Sequence, residues 1–334
     1  MLKSLPCTIL ALMAICCSLD CLSPIIARGI PQQPTKAEPT VLVKGSFGVV
    51  RACLATGTEV YWIEEHKDIL HVNRDKGGFP MPFLRSNVPI EAFTADTSGL
   101  YYVRQNPTDL LEKGEFKSPA ELKRVEGGEK LASLLTFELG TATFVATDSS
   151  SIYVFVLAEK TDGTILQIPK TGGTPKPLAT KIFGAITQFA VDEKNIYWLD
   201  PAMKAVYSAP KSGGAPTKLF ARDESSFEPD VMTADEGNLY LMTRGGEIYR
   251  VEKTTGKTTR IYTGGGFEFY GLSILADKSR LYWVEPHKIM AMDKNQLNPI
   301  ALYPRTSAIS CMTMDNEFFY WFEVGGMGLM KVAR

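Results

Sequence analysis

Short apolar runs alternate along the chain with polar, glycine-bearing turns, and one arrangement of them recurs. In its clearest copy Gln188–Val191 alternates as a strand does, residues 192–195 are turn-forming, and residues 196–199, 205–209 and 218–221 supply three further apolar runs. Period-two runs of this length, separated by turn signals, predict four antiparallel strands. Asp192 in the first turn can accept a backbone N–H two residues on and so close it. Residues 211–214 (Lys-Ser-Gly-Gly) bring glycines to a hairpin that needs positive φ. Similar hairpins recur at Gly77-Gly78, Gly127-Gly128 and Gly172-Gly173, and in weaker form at Gly256.

Aligned on the second run, the copies share more than polarity. A tyrosine closes that run at Tyr61, Tyr101, Tyr153, Tyr197, Tyr240, Tyr282 and Tyr320, at spacings of 40, 52, 44, 43, 42 and 38 residues. Five positions earlier stand Asp96, Asp148, Asp192, Asp235, Asp277 and Asp315, with Thr56 in the first copy. All four tryptophans (Trp62, Trp198, Trp283, Trp321) directly follow one of these tyrosines. Repeats of this length with four short strands predict an all-β fold, a seven-bladed β-propeller of four-stranded antiparallel blades.

The ends predict how the ring closes. The seventh copy stops at residues 331–334, in its third strand, while Thr40–Lys44 (TVLVK) is an outermost strand with no blade of its own. Leu42 lies 19 residues before Tyr61, as Leu178 lies 19 before Tyr197. Residues 40–334 are therefore expected to form the propeller, its ring closed by the N-terminal strand in blade seven, which removes an exposed sheet edge. Closure brings together the innermost strands of blades one and seven, carrying Cys53 and Cys311 at offsets of opposite parity. Two outcomes stand open, a Cys53–Cys311 disulfide in an oxidising compartment or two buried free thiols.

The first 22 residues read as a secretory signal peptide, with Lys3 followed by an apolar run at 9–17 that is too short to span a bilayer. Residues 23–39 form a Pro-rich linker. Lipidation needs a small residue before the modified cysteine, and none of Cys16, Cys17 and Cys21 has one. Simple cleavage is expected, with a lipoprotein as the alternative, which gives a periplasmic, secreted or cell-surface location. Across 334 residues the formal net charge is −1 and no Lys/Arg run exceeds two. That excludes an electrostatic footprint for nucleic acid and leaves an N-terminal lipid as the only membrane attachment expected.

Candidate chemistry is sparse. Glu64, Asp200, Glu285 and Glu323 end the second run two residues after each tryptophan, and His66 and His287 follow Glu64 and Glu285 at matching positions. An acidic arc of this kind suits a cation or a basic partner, and Glu-x-His suits metal ligation. Recurrence in register with the motif favours a role inside the blade, and blade seven separates the two histidines, so no metal or other cofactor is expected. Aromatic residues recur where one blade crosses to the next: Phe47, Phe183, Phe227, Phe267, Phe269 and Tyr270. Packing between blades explains most of them. Phe267, Phe269 and Tyr270, after three glycines, are the best candidates for exposed contact. The second copy also carries an insertion at 105–119, and long loops on rigid scaffolds commonly carry recognition. Arg74, Lys170, Lys211, Lys253 and Lys294 near the outer hairpins are expected to be solvated turn residues. No nucleophile elbow, phosphate loop or zinc-type histidine pair is present, and the innermost strands, including residues 49–52 and 272–275, are mostly apolar.

At Val191-Asp192 and Ile196-Tyr197-Trp198-Leu199-Asp200 the sequence resembles the YWTD (low-density-lipoprotein-receptor class B) propeller repeat, and residues 205–214 sustain the likeness. No copy reads YWTD, and that family has six blades with flanking cysteine-rich modules. The Gly-Gly-x-Pro hairpins at 172–175 and 213–216 are closer to those of exported bacterial propellers. The resemblance implies the fold and an extracytoplasmic binding role, and it carries over no catalytic residue. The expectation is a monomeric, non-catalytic binding or scaffold propeller for a protein, peptide or glycan, engaged through the face bearing the second-to-third-strand loops. The alternative is a hydrolase or lyase with its site at the channel mouth, metal-assisted near Glu64, Glu285 and Glu323.

Overall fold

A computed structural model of the chain describes residues 38–334 except 46, 48–49, 65–67, 97, 106–119, 127–129, 138–140, 158–161, 184–185, 187, 201, 222–228, 265–272, 286–287, 305–306 and 327. His66, His287, Phe227, Phe267, Phe269, Tyr270 and nearly all of the 105–119 insertion lie outside the described residues, as do the signal and linker segments.

Among the described residues, twenty-eight strands form seven four-stranded antiparallel sheets. Blades one to six occupy residues 53–84, 90–137, 141–183, 188–221, 229–263 and 274–304, each a simple meander. Blade seven takes its first three strands from Ile309–Met314, Phe318–Glu323 and Gly328–Ala333, and its fourth from Thr40–Lys44. Thr40 pairs with Lys331 and Lys44 with Gly328, so the two ends of the chain share one sheet.

In blade one the innermost strand is only Cys53–Ala55, later than the run at 49–52 suggests. Ahead of it the Ala52 carbonyl already accepts the Ile63 N–H at 3.1 Å, while Phe47 still lies against blade seven. Phe47 bridges to Val324 and wedges edge-on between Trp62 and Phe322, with ring centroids 5.8 and 5.3 Å away.

The Tyr-Trp doublet explains where the core sits. Neighbouring residues on a strand point to opposite faces of the sheet. Trp198 therefore packs toward blade three, among Phe155, Leu178 and Ile182, while Tyr197 packs toward blade five, among Met232, Leu239 and Leu241. The same division holds in the other blades, and the apolar interior consists of seven clusters, one in each seam between adjacent blades. All four tryptophans and six of the seven motif tyrosines are essentially fully buried.

The seam between blades seven and one carries a covalent link. Cys53 and Cys311 form a disulfide with Cα atoms 6.2 Å apart. Beside it the Ala55 N–H donates to Thr313 Oγ1 at 3.3 Å.

Candidate functional site

Each blade's first turn and outer hairpin lie on one face of the ring, and the loops joining second to third strands lie on the other. On the first face the recurring aspartate performs several tasks at once. Asp192 Oδ1 accepts the N–H groups of Lys194 and Asn195 at 2.9 and 2.8 Å, closing the turn. Its Oδ2 accepts the Tyr197 hydroxyl at 2.8 Å and the ammonium of Lys253, from the next blade, at 2.7 Å. Lys253 Nζ also sits 4.7 Å from the Tyr197 ring centroid, a cation–π contact.

This clasp repeats around the ring. Lys211 reaches Asp148 at 2.5 Å, Lys294 reaches Asp235 at 2.7 Å and Arg74 reaches Asp315 at 2.8 Å. Lys170 pairs with Asp96 and Arg334 with Asp277. In blade two the tyrosine joins through Ser98, which bonds both Asp96 and Tyr101. Arg74, Lys170, Lys211, Lys253 and Lys294 are thus not solvated turn residues. Their side chains are only 6 to 12% exposed, because each is sunk between two blades where a carboxylate and a ring await it.

Electrostatics follow from this geometry. Burial alone would raise these carboxyls, but the cation, the tyrosine hydroxyl and the turn N–H groups outweigh it, holding Asp235 down to about 2 and Asp148 lower still. The partner tyrosines move upward, first through burial and then through the adjacent carboxylate.

The acids of the Tyr-Trp motif turn inward. Glu285 is 5% exposed. It accepts the Tyr262 hydroxyl from blade five, the Trp283 indole N–H at 3.2 Å and the Lys288 ammonium at 2.9 Å. Burial would raise its carboxyl, but these three donors hold it below the usual range. Glu323 is buried and takes the Trp321 indole N–H at 3.3 Å. Asp200, also buried, accepts the Met203 N–H at 3.0 Å, and burial pushes its carboxyl up. Glu64 ends its strand partly exposed. Three of the four acids therefore anchor an indole or a loop within the fold and offer no open arc of carboxylates. Among the described residues no three His, Cys, Asp or Glu side chains gather as a metal site.

One seam breaks the clasp pattern. In every clasp the base stands three residues beyond the residue paired with the tyrosine, as Lys211 stands beyond Ser208 opposite Tyr197. Tyr101 pairs with Arg124, so the matching position in blade two is Gly127, and the aspartate of blade one is Thr56. Thr56 still closes its turn, exchanging bonds with the Glu59 backbone at 3.2 Å. Among the described residues, neither charge of the clasp is found between blades one and two. There an open cleft of about 890 Å³ lies between Thr56, Gly57, Tyr61 and Phe83 on one side and Asp96, Ser98 and Arg124 on the other. A cleft of about 700 Å³ lies at the matching place between blades five and six, and there Asp235, paired with Lys294, stands where Thr56 stands in blade one.

No known family profile matches the chain, and no curated protein sequence matches it. Among solved structures it is similar to YCF48 bound to D1 peptide, with a TM-score of 0.64 and 10% identity over 90% of this chain and 96% of that one. It is also similar to the WD40 β-propeller domain of Doa1, with a TM-score of 0.63 and 12% identity over 87% and 94%. The computationally designed Ika8 protein gives a TM-score of 0.59 and 12% identity over 88% and 99%. At these identities the likeness is one of fold.

Proposed function

We propose that this chain is an exported binding scaffold, a propeller with YWTD-like repeats that holds a protein or peptide partner on the face carrying its second-to-third-strand loops. The observation that carries this reading is the contrast between the two faces. The clasp face repeats one ion-paired turn around most of the ring, whereas on the opposite face the loops vary from two residues between Glu285 and Lys288 to fourteen between Gln105 and Ala120. Variable loops on a rigid, repeated frame are the usual place for recognition. The peptide held by the fold-mate YCF48 is a precedent for such use of a propeller. The apolar run at 9–17 supports export, and the Cys53–Cys311 bond suits an oxidising compartment.

The test is affinity capture from the envelope and secreted fractions of the native host, comparing the whole chain with one lacking residues 106–119. The expected result is a partner lost on deletion while the melting temperature is kept. A partner retained equally by both forms, or a chain found only in the cytoplasm, would overturn the reading.

A further inference from the structure

The open seam between blades one and two is itself shaped to hold something, and the six filled seams define what it has to offer. In five of the six filled seams a cation from the next blade stands over the ring of the motif tyrosine, and in five the tyrosine hydroxyl bonds directly to the aspartate. Tyr61 has neither cover. It is partly exposed where the other six motif tyrosines are 4% exposed or less. Its ring meets Phe83 edge-on at 5.2 Å and lies parallel to His71 at 5.8 Å. His71 pairs in register with Met81, and the strip runs outward to Met81, 59% exposed, and Phe79, 91% exposed. The apolar seam beneath remains intact, with Ile63, Ile69, Leu100 and Tyr102 buried. The cleft is therefore a feature of the surface layer, and the packing below it is complete.

We propose that this cleft is a second binding site, on the clasp face, for an extended peptide segment of another protein that inserts an uncharged aromatic or branched aliphatic side chain over Tyr61 and Phe83. Charge selects the occupant. Among the described residues the ion pair that fills every other seam is absent here, and the carboxylate that does line the cleft, Asp96, is already engaged by Lys170, so a lysine or arginine would find the Thr56 hydroxyl where its carboxylate should be. An apolar anchor loses nothing by that exchange and gains the rings and the neighbouring Met81 and Phe79 surface. The walls supply hydroxyl groups on Thr56, Thr58 and Tyr61 for the carbonyls flanking the anchor. This inference is independent of the loop-face reading, because the two sites lie on opposite faces.

The experiment uses the whole chain as bait for a phage-displayed library of random peptides about 12 residues long, a length suited to extended recognition. Enriched peptides are then measured against three variants. Gly57→Trp fills the cleft, since nothing lies within 4 Å of the position where a Cβ would stand. Phe83→Ala removes a wall, and deletion of 106–119 alters only the opposite face. The expected result is a shared apolar anchor, with affinity falling about tenfold or more on Gly57→Trp and Phe83→Ala, and unchanged by the loop deletion. Melting temperatures identify any variant that fails to fold, and Gly57→Trp then decides. Failure to enrich any peptide, equal binding to Gly57→Trp, a conserved basic anchor, or glycan-array binding lost on Gly57→Trp without peptide binding would each overturn the proposal.

Discussion

Arg74 of blade one donates to Asp315 of blade seven at 2.8 Å across 241 residues of chain, and it does so beside the Cys53–Cys311 disulfide. The noncovalent clasp used at five other seams and the covalent bond therefore coincide at the seam that closes the ring. Among the described residues, the adjoining seam between blades one and two has neither.

The clasps are expected to stabilise through partly desolvated charge. Lys294→Met leaves Asp235 without its cation in a site where the two side chains are 8 and 19% exposed. It should cost about 2–4 kcal/mol, somewhat below the ~3–5 kcal/mol of a fully buried pair broken from one side, because Asp235 keeps partial contact with solvent. Replacing both partners, Asp235→Asn with Lys294→Met, should cost less than the sum of the single changes. Urea unfolding followed by tryptophan fluorescence measures this cycle, and additivity would mean that the two groups do not interact.

Acid should weaken the ring in a defined window. The clasp carboxyls have folded-state values held below the unfolded value of about 3.9, with Asp235 at about 2. Groups depressed on folding contribute stability that is present above the unfolded value and lost as pH falls through the folded one. The urea midpoint should be steady from neutral pH to about 5 and then fall steeply between about pH 4 and 2. Asp235→Asn should flatten that fall, and a midpoint insensitive to pH across the window would contradict the assignment.

Reduction should loosen the closure. The bond spans 258 residues, and closing so long a loop in the unfolded chain is worth about 5–6 kcal/mol in the chain-entropy model. Cys53→Ser with Cys311→Ser should unfold at correspondingly lower urea. A thiol count on the unfolded, unreduced mature protein should find neither cysteine free.

Much of this architecture is legible in the sequence, for physical reasons. A propeller repeats one local solution, so the Tyr and Asp positions recur in register, and the strands around Tyr197 fall within a residue or two of the apolar runs. The closing strand is visible because Leu42 keeps the spacing of a fourth strand. The cations are harder to read. Lys253 and its counterparts look like ordinary turn residues, since their partners lie in another blade about 60 positions away. Their offset from the tyrosine, and the joint loss of Asp and base at Thr56 and Gly127, is the signal that reveals them. The carboxylates of Glu285 and Glu323 mislead in the other direction, because nothing local marks an acid that serves a buried indole.

Gly328 should tolerate no side chain. It pairs with Lys44 at the closure with φ of 122°, and a Cβ there would stand 2.0 Å from the Val43 carbonyl oxygen. Gly328→Ala should dislodge the N-terminal strand and cost about 3 kcal/mol or more, through combined strain and lost pairing. Limited proteolysis should then cut near Thr40 first. Protection equal to that of the parent chain would count against the pairing.

The shared sheet of blade seven also sets a timetable. Lys44 and Gly328 are neighbours in the finished fold, yet at typical rates of about 5–20 residues per second they leave the ribosome about 15–60 s apart. Through that interval the first strand, apolar at Leu42 and Val43, has no mate. The circle cannot lock until Gly328–Ala333 has emerged, so through that interval the nascent ring stays open and able to be threaded.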